Sequence, residues 1–236
     1  MTVPRIGNPL IVALDTSDPD EATVLAGQLG GVVNMVKVGL ELFTKEGPAV
    51  VRRIRDHAPV FLDLKMHDIP TTVERAARNV GGLGVRLLTV HALGGADMVR
   101  AAVEGVTEGA SATSIEPPGI IAVTVLSSLA GEGLASSASL AFESVSAGAR
   151  GVVVSGEDVE DVRRALGDEA LLVVPGIRPE GFGSNDHARV LTPRSALEKG
   201  ADYLVVGRPV TGAADPAAAA QAILREAGAE PGGGGG

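Results

Sequence analysis

Residues 61–70 read Phe-Leu-Asp-Leu-Lys-Met-His-Asp-Ile-Pro and set two carboxylates and an ammonium close together, at Asp63, Lys65 and Asp68. In an extended chain side chains alternate faces, so Asp63 and Lys65 share one face and Leu62 and Leu64 take the other. The leucines can pack under helices while the charged pair points into a barrel mouth. Asp68 falls in the loop just before the next helical pattern. The chemistry open to such a set is electrostatic. Flanking carboxylates favour the charged ammonium, and a fixed ammonium can meet negative charge that develops on a bound molecule. The plainer reading is an ion pair closing a strand.

Repetition along the chain favours the functional reading. Asp15 closes the first apolar run, Lys37 the second, His91 the fourth and Thr124 the fifth; Arg178 follows the seventh and Arg208 the eighth. A Lys or Asp at the end of an apolar strand costs desolvation energy unless it is paired. The same cost met on strand after strand is hard to assign to stability alone. His91 reads as a hydrogen-bonded structural residue rather than a catalyst, and His67 as facing solvent.

The elements that must position these residues are short Val/Leu/Ile-rich runs, each followed by a longer helical pattern. Strands are expected at Pro9–Asp15, Val32–Val38, Val60–Lys65, Val85–His91, Gly119–Leu126, Gly151–Ser155, Leu171–Pro175 and Tyr203–Gly207. Helices are expected at about 19–29, 41–57, 71–82, 95–109, 137–148, 157–167, 193–199 and 215–227. Asp18, Thr192 and Asp215, each before a Pro, supply capping chemistry. Eight strand–helix units at this length predict an α/β fold of the TIM (β/α)8 barrel type, with a doubly wound open sheet as the rival. Chemistry then belongs at the C-terminal ends of the strands. Residues 1–230 are expected to form one catalytic barrel domain, and 231–236 a flexible Gly-rich tail. The Gly/Ser/Asn/Asp-rich stretch at about 180–191 has no apolar period and reads as a lid.

Composition narrows the function classes. Hydrophobic residues make up 45% of the 236 residues, but aromatics only 2%, which leaves no stacking platform for single-stranded nucleic acid. The formal net charge of −9 repels nucleic acid and acidic membranes, so an anionic substrate must be held by a few local cations. With no Cys, thiolate nucleophiles, disulfides and Cys-ligated zinc are excluded. No apolar run approaches the roughly 20 residues that span a bilayer, and Met1–Pro9 lacks the apolar stretch of a signal peptide. A soluble cytoplasmic protein with no nucleic-acid or membrane partner is the expectation.

The third strand also carries a resemblance. The run Asp63-Leu64-Lys65-Met66-His67-Asp68-Ile69 matches D-x-K-x-x-D-I, the hallmark of the orotidine 5′-monophosphate decarboxylase family, and Pro70-Thr71-Thr72 follows it. Leu14-Asp15, Val36-Lys37-Val38-Gly39, Val90-His91-Ala92, Thr124-Val125-Leu126-Ser127, Pro175-Gly176-Ile177-Arg178-Pro179 and Val206-Gly207-Arg208-Pro209 stand in that family's order, across about residues 9–212. The chain resembles the bacterial type of the family.

The resemblance implies decarboxylation of orotidine 5′-monophosphate to uridine 5′-monophosphate, the last step of de novo UMP synthesis, with no metal and no cofactor. It implies a charged tetrad of Lys37, Asp63, Lys65 and Asp68, with Lys65 the proton donor to C6 of the pyrimidine. It also implies a homodimer, in which Asp68 and Thr72 cross to the partner's active site. Asp15 and Lys37 would meet the ribose, Ser127 with Thr124 behind it the pyrimidine edge, and Gly207, Arg208 and Arg178 the phosphate. The sequence departs from the family in the lid, where His187 stands at the position of a usual Gln; an imidazole there can still donate to phosphate. Two rivals share the fold. One is a Mg²⁺-dependent phosphosugar decarboxylase or aldolase of the same suprafamily, and the other a non-catalytic phosphate-ligand binding barrel.

Overall fold

Each of the eight apolar runs forms a strand, and the computed structural model describes residues 6–124, 136–182 and 191–229. The strands are β1 (Leu10–Ala13), β2 (Met35–Gly39), β3 (Val60–Met66), β4 (Leu87–His91), β5 (Gly119–Val123), β6 (Gly151–Val153), β7 (Leu171–Val174) and β8 (Tyr203–Val206). They close in sequence order, β1 through β8 and back to β1, as the (β/α)8 barrel requires and an open doubly wound sheet does not. The strands are nearly continuous aliphatic runs, buried along most of their length, because helices cover one side and packed side chains the other.

The helices are α1 (Pro19–Leu29), α2 (Leu40–Glu46), α3 (Pro48–Arg55), α4 (Pro70–Gly81), α5 (Gly95–Thr113), α6 (Ser137–Ser146), α7 (Val159–Leu166), α8 (Pro193–Glu198), α9 (Arg208–Thr211) and α10 (Pro216–Ala227), with a 3₁₀ turn at Ala92–Gly94. The chain divides into two compact units, Met1–Pro59 with Val173–Gly236, and Val60–Leu172.

In the first unit β1 is central, and Ile11 lies opposite Met35 on β2 and Val205 on β8, in parallel. All three expected caps form. The Asp18 side chain accepts from the Asp20 and Glu21 N–H groups, Asp215 accepts from Ala218, and Thr192 makes a reciprocal capping box with Ser195. The single helix expected at 41–57 is two. Gly47 adopts φ +63° and ψ −147°, and Pro48 has no N–H to continue the ladder, so the axis breaks there and restarts. The short α9 was not expected; it fits between β8 and α10, with Pro209 in its first turn.

In the second unit β4 is central. Its pairing with β5 runs unbroken from Leu87 opposite Gly119 to His91 opposite Val123. Helices α4 and α5 approach to backbone distance because small residues line the seam. A Cβ on Gly105 would strike the Glu74 carbonyl, one on Gly109 the Arg78 carbonyl, and one on Gly81 the Val106 carbonyl. The Pro231–Gly236 tail lies outside the described residues. Among the described residues, no helix is long and apolar enough to cross a membrane.

Candidate active site

The pairing of β3 with β4 is irregular at the charged pair singled out from the sequence. Leu62 pairs with Leu88 and Met66 with Val90, so Asp63, Leu64 and Lys65 together face the single residue Thr89. This bulge puts Lys65 in the left-handed region at φ +49°. A side chain other than glycine rarely holds that conformation, which costs roughly 1–3 kcal/mol and concentrates at functional positions. The expected pairing of Asp63 with Lys65 does form: Nζ lies 2.7 Å from Asp63 Oδ2. It forms across a bulge, not by the flat alternation of a regular strand.

Thr89 ties this cluster together. Its Oγ1 accepts the Lys65 backbone N–H at 2.8 Å and donates to Asp63 Oδ1 at 2.9 Å. Thr89 is fully buried, and Asp63 nearly so at 8% exposed. Sequence reasoning passed over Thr89. The signal was a lone hydroxyl inside the apolar run Leu87-Leu88-Thr89-Val90, which must find a partner once buried.

His91, at the end of β4, stacks on the exposed His67 with ring centroids 5.2 Å apart. Its Nδ1 accepts the Leu93 N–H at 3.4 Å, the local structural bond expected of it. Burial pushes the His91 imidazole below its ordinary pKa, and the neighbouring His67 and Lys65 push the same way. Asp68 is exposed; its Oδ1 accepts the Ile69 N–H at 2.7 Å, and among the described residues it forms no ion pair. Thr72 is exposed in the first turn of α4. Thr124 is buried directly after β5, and its hydroxyl donates to the Val153 carbonyl at 3.0 Å, so its proton is engaged by backbone.

A second cluster belongs to the other unit. Lys37 lies within β2, and its Nζ is 3.2 Å from Oδ1 of Asp15, which stands two residues beyond the end of β1. Two glycines make room around this pair. A Cβ on Gly39 would come within 3.3 Å of Lys37 Nζ, and one on Gly207 within 3.5 Å of Asp15 Oδ2. Gly39 is thus a second residue that sequence reasoning did not single out. Arg208 follows Gly207 with its side chain exposed, and Arg178 is exposed after β7, where its N–H donates to the Leu191 carbonyl at 3.1 Å. Ser127 and His187 lie outside the described residues. Among the described residues, no group of three or more His, Asp or Glu side chains converges in a way that could hold a metal ion.

Comparison with known proteins gives one consistent result. Residues 8–223 match the model of the Orotidine 5'-phosphate decarboxylase / HUMPS family. An orotidine 5'-phosphate decarboxylase of Nitratidesulfovibrio vulgaris is 50% identical over 227 residues, which cover 92% of this chain and 96% of the relative. One from Thermobifida fusca is 46% identical over 238 residues, covering 94% and 98%. The crystal structure of orotidine 5'-phosphate decarboxylase from Lactobacillus acidophilus superposes with a TM-score of 0.82 at 38% identity, over 94% of this chain and all of that one. A match across nearly the whole barrel, carrying the bulged Asp63–Lys65 strand with it, makes this chain a member of the orotidine 5'-phosphate decarboxylase / HUMPS family.

Proposed function

We propose that this protein decarboxylates orotidine 5′-monophosphate to uridine 5′-monophosphate, the closing step of de novo pyrimidine synthesis, without a metal or organic cofactor. The observation that carries the reading is the Lys65 ammonium, held 2.7 Å from the Asp63 carboxylate at the C-terminal end of β3. Active sites of (β/α)8 enzymes lie at that end of the strands.

In this reading the bond between C6 and the carboxylate carbon breaks, its electron pair stays on C6, and carbon dioxide leaves. Lys65 then transfers an Nζ proton to C6 and is reprotonated from solvent. A fixed ammonium near the developing carbanion stabilises it without reorganisation. Asp63 lies against the departing carboxylate, and their repulsion is relieved as neutral carbon dioxide forms.

The other roles are those the family resemblance implies. Asp15 and Lys37 hold the ribose, and the exposed guanidiniums of Arg208 and Arg178 with the Gly207 backbone hold the phosphate, where planar guanidinium donors match its oxygens. Ser127 contacts the pyrimidine edge, and Thr124 secures the backbone directly before that segment. His187 donates to phosphate from the lid. Phosphate binding supplies energy that offsets the ordering of the site.

The active form is a cytoplasmic homodimer in which Asp68 and Thr72 enter the partner's site. Both are exposed in the single chain, as is Ile69 between them at 66%, an apolar side chain that a subunit contact would bury.

The test is loss of orotidylate ultraviolet absorbance with wild type and Lys65→Ala, each checked by circular dichroism. Wild type should turn over, and the alanine variant should lose several orders of magnitude in kcat with its fold kept. Full activity in Lys65→Ala removes the proton donor. A wild type inert toward orotidylate but active on a phosphosugar, with that activity lost in EDTA, favours the Mg²⁺-dependent phosphosugar reading.

A further inference from the structure

We infer that Thr89 is a positioning residue for the reaction: its hydroxyl locks the Lys65 backbone and the Asp63 carboxylate into one unit. The inference deepens the decarboxylase reading and rests on it for the choice of substrate.

The hydrogen-bond accounting leaves one arrangement. A hydroxyl has a single proton to give and lone pairs to receive. The Lys65 N–H is a donor only, so Thr89 Oγ1 must accept from it, at 2.8 Å. The hydroxyl proton is therefore free for Asp63 Oδ1, at 2.9 Å. Oδ2 of the same carboxylate takes the Lys65 ammonium at 2.7 Å. One ring of contacts thus starts at the Lys65 backbone, passes through Thr89 and Asp63, and returns to the Lys65 side chain. No water competes for the hydroxyl, since Thr89 is 0% exposed.

The ring explains why the bulge persists. Asp63, Leu64 and Lys65 all face Thr89 in the ladder, so the Lys65 N–H has no regular strand carbonyl opposite it. The hydroxyl stands in for that carbonyl and holds the backbone at φ +49°. With the hydroxyl gone, a buried N–H is left unpaired and the carboxylate loses one of its fixed donors. Each is costly in a site shielded from water. The ammonium then loses its fixed place, which acts on the chemical step and much less on substrate binding.

The experiment compares wild type, Thr89→Val and Thr89→Ser. Valine keeps the size and removes the hydroxyl; serine restores the hydroxyl and removes the methyl. Steady-state kinetics on orotidine 5′-monophosphate and hydrogen exchange of the Lys65 amide are read on each. We expect Thr89→Val to lower kcat by about 10- to 100-fold, to change KM by less than about threefold, and to expose the Lys65 amide to exchange. Thr89→Ser should recover both kcat and protection. Should the valine variant fail to fold, Thr89→Ala takes its place in the same comparison. Unchanged kcat with a protected amide in the hydroxyl-free variant overturns the inference. So does an equal loss in the valine and serine variants, which assigns the effect to packing. A wild type inactive toward orotidine 5′-monophosphate overturns the functional reading, and the exchange measurement still decides the network by itself.

Discussion

Lys37 Nζ lies 3.2 Å from Asp15 Oδ1, with the lysine side chain 13% exposed and the aspartate 62%. The exposed partner is free to offer its second oxygen to a ligand, while the buried partner holds it in place. On the proposed reading the pair serves binding more than stability. An ion pair with one end in water contributes at most about 1 kcal/mol. Asp15→Asn should shift the folding free energy by no more than that. It should raise KM by about tenfold through loss of a charge-assisted bond to substrate. Thermal melts and initial rates measure the two effects separately.

The glycine seam between α4 and α5 predicts the opposite pattern. A methyl at Gly109 meets the Arg78 carbonyl, a backbone atom that cannot rotate away. Gly109→Ala should destabilise by about 1–3 kcal/mol, and the variant that remains folded should keep its kcat. Denaturant unfolding monitored by far-ultraviolet circular dichroism gives the first number, and rates at a temperature well below the transition give the second.

Stability should depend on pH through His91. Its pKa in the folded chain lies below the ordinary 6.5, chiefly because it is buried, then because of His67 and Lys65. Between the depressed value and 6.5 the unfolded chain binds more protons than the folded one. Stability therefore rises with pH across that interval and is lost as pH falls through it. The Nδ1 atom that accepts the Leu93 N–H needs the neutral ring as well. His91→Asn keeps an acceptor and does not titrate, so its melting temperature should vary less than wild type's from pH 7 down to pH 5. Parallel slopes for the two proteins would assign the dependence elsewhere.

Ile69 is the place to test the subunit proposal. It is 66% exposed and sits next to Asp68. Burying an isoleucine contributes about 1.5–3 kcal/mol, and a twofold interface counts it twice. Ile69→Asp should therefore raise the dimer dissociation constant by roughly two decades or more. Sedimentation velocity should show monomers, and activity at low protein concentration should fall in step. A monomeric variant with undiminished turnover would falsify the shared site.

Most of the barrel was legible because its signals are local. Aliphatic runs and Asp18, Thr192 and Asp215 at helix starts are all read within a few residues, whereas the Gly47-Pro48 break, equally local, was passed over in favour of one continuous helix. The charged pair of β3 was legible from spacing, since any nearly extended Asp63-Leu64-Lys65 brings the two heads together. The bulge was not. It depends on a hydrogen bond from Lys65 to Thr89, 24 residues away, and no local pattern announces a lysine in the left-handed region. The α4–α5 seam was hidden for a related reason: Gly105 and Gly109 read as weak points in a helix until the neighbour that needs their space is known.

The left-handed backbone at Lys65 has a consequence for engineering. Glycine or asparagine tolerates φ +49° more readily than lysine does. Either replacement would relieve that strain, would leave the buried Asp63 carboxylate without its ammonium partner, and on the proposed reading would discard the reaction. Thermostable variants of this protein should therefore be sought with position 65 held constant, and the melting temperature of Lys65→Gly against its parent would measure how backbone strain and the Asp63 ion pair balance at the proposed proton donor.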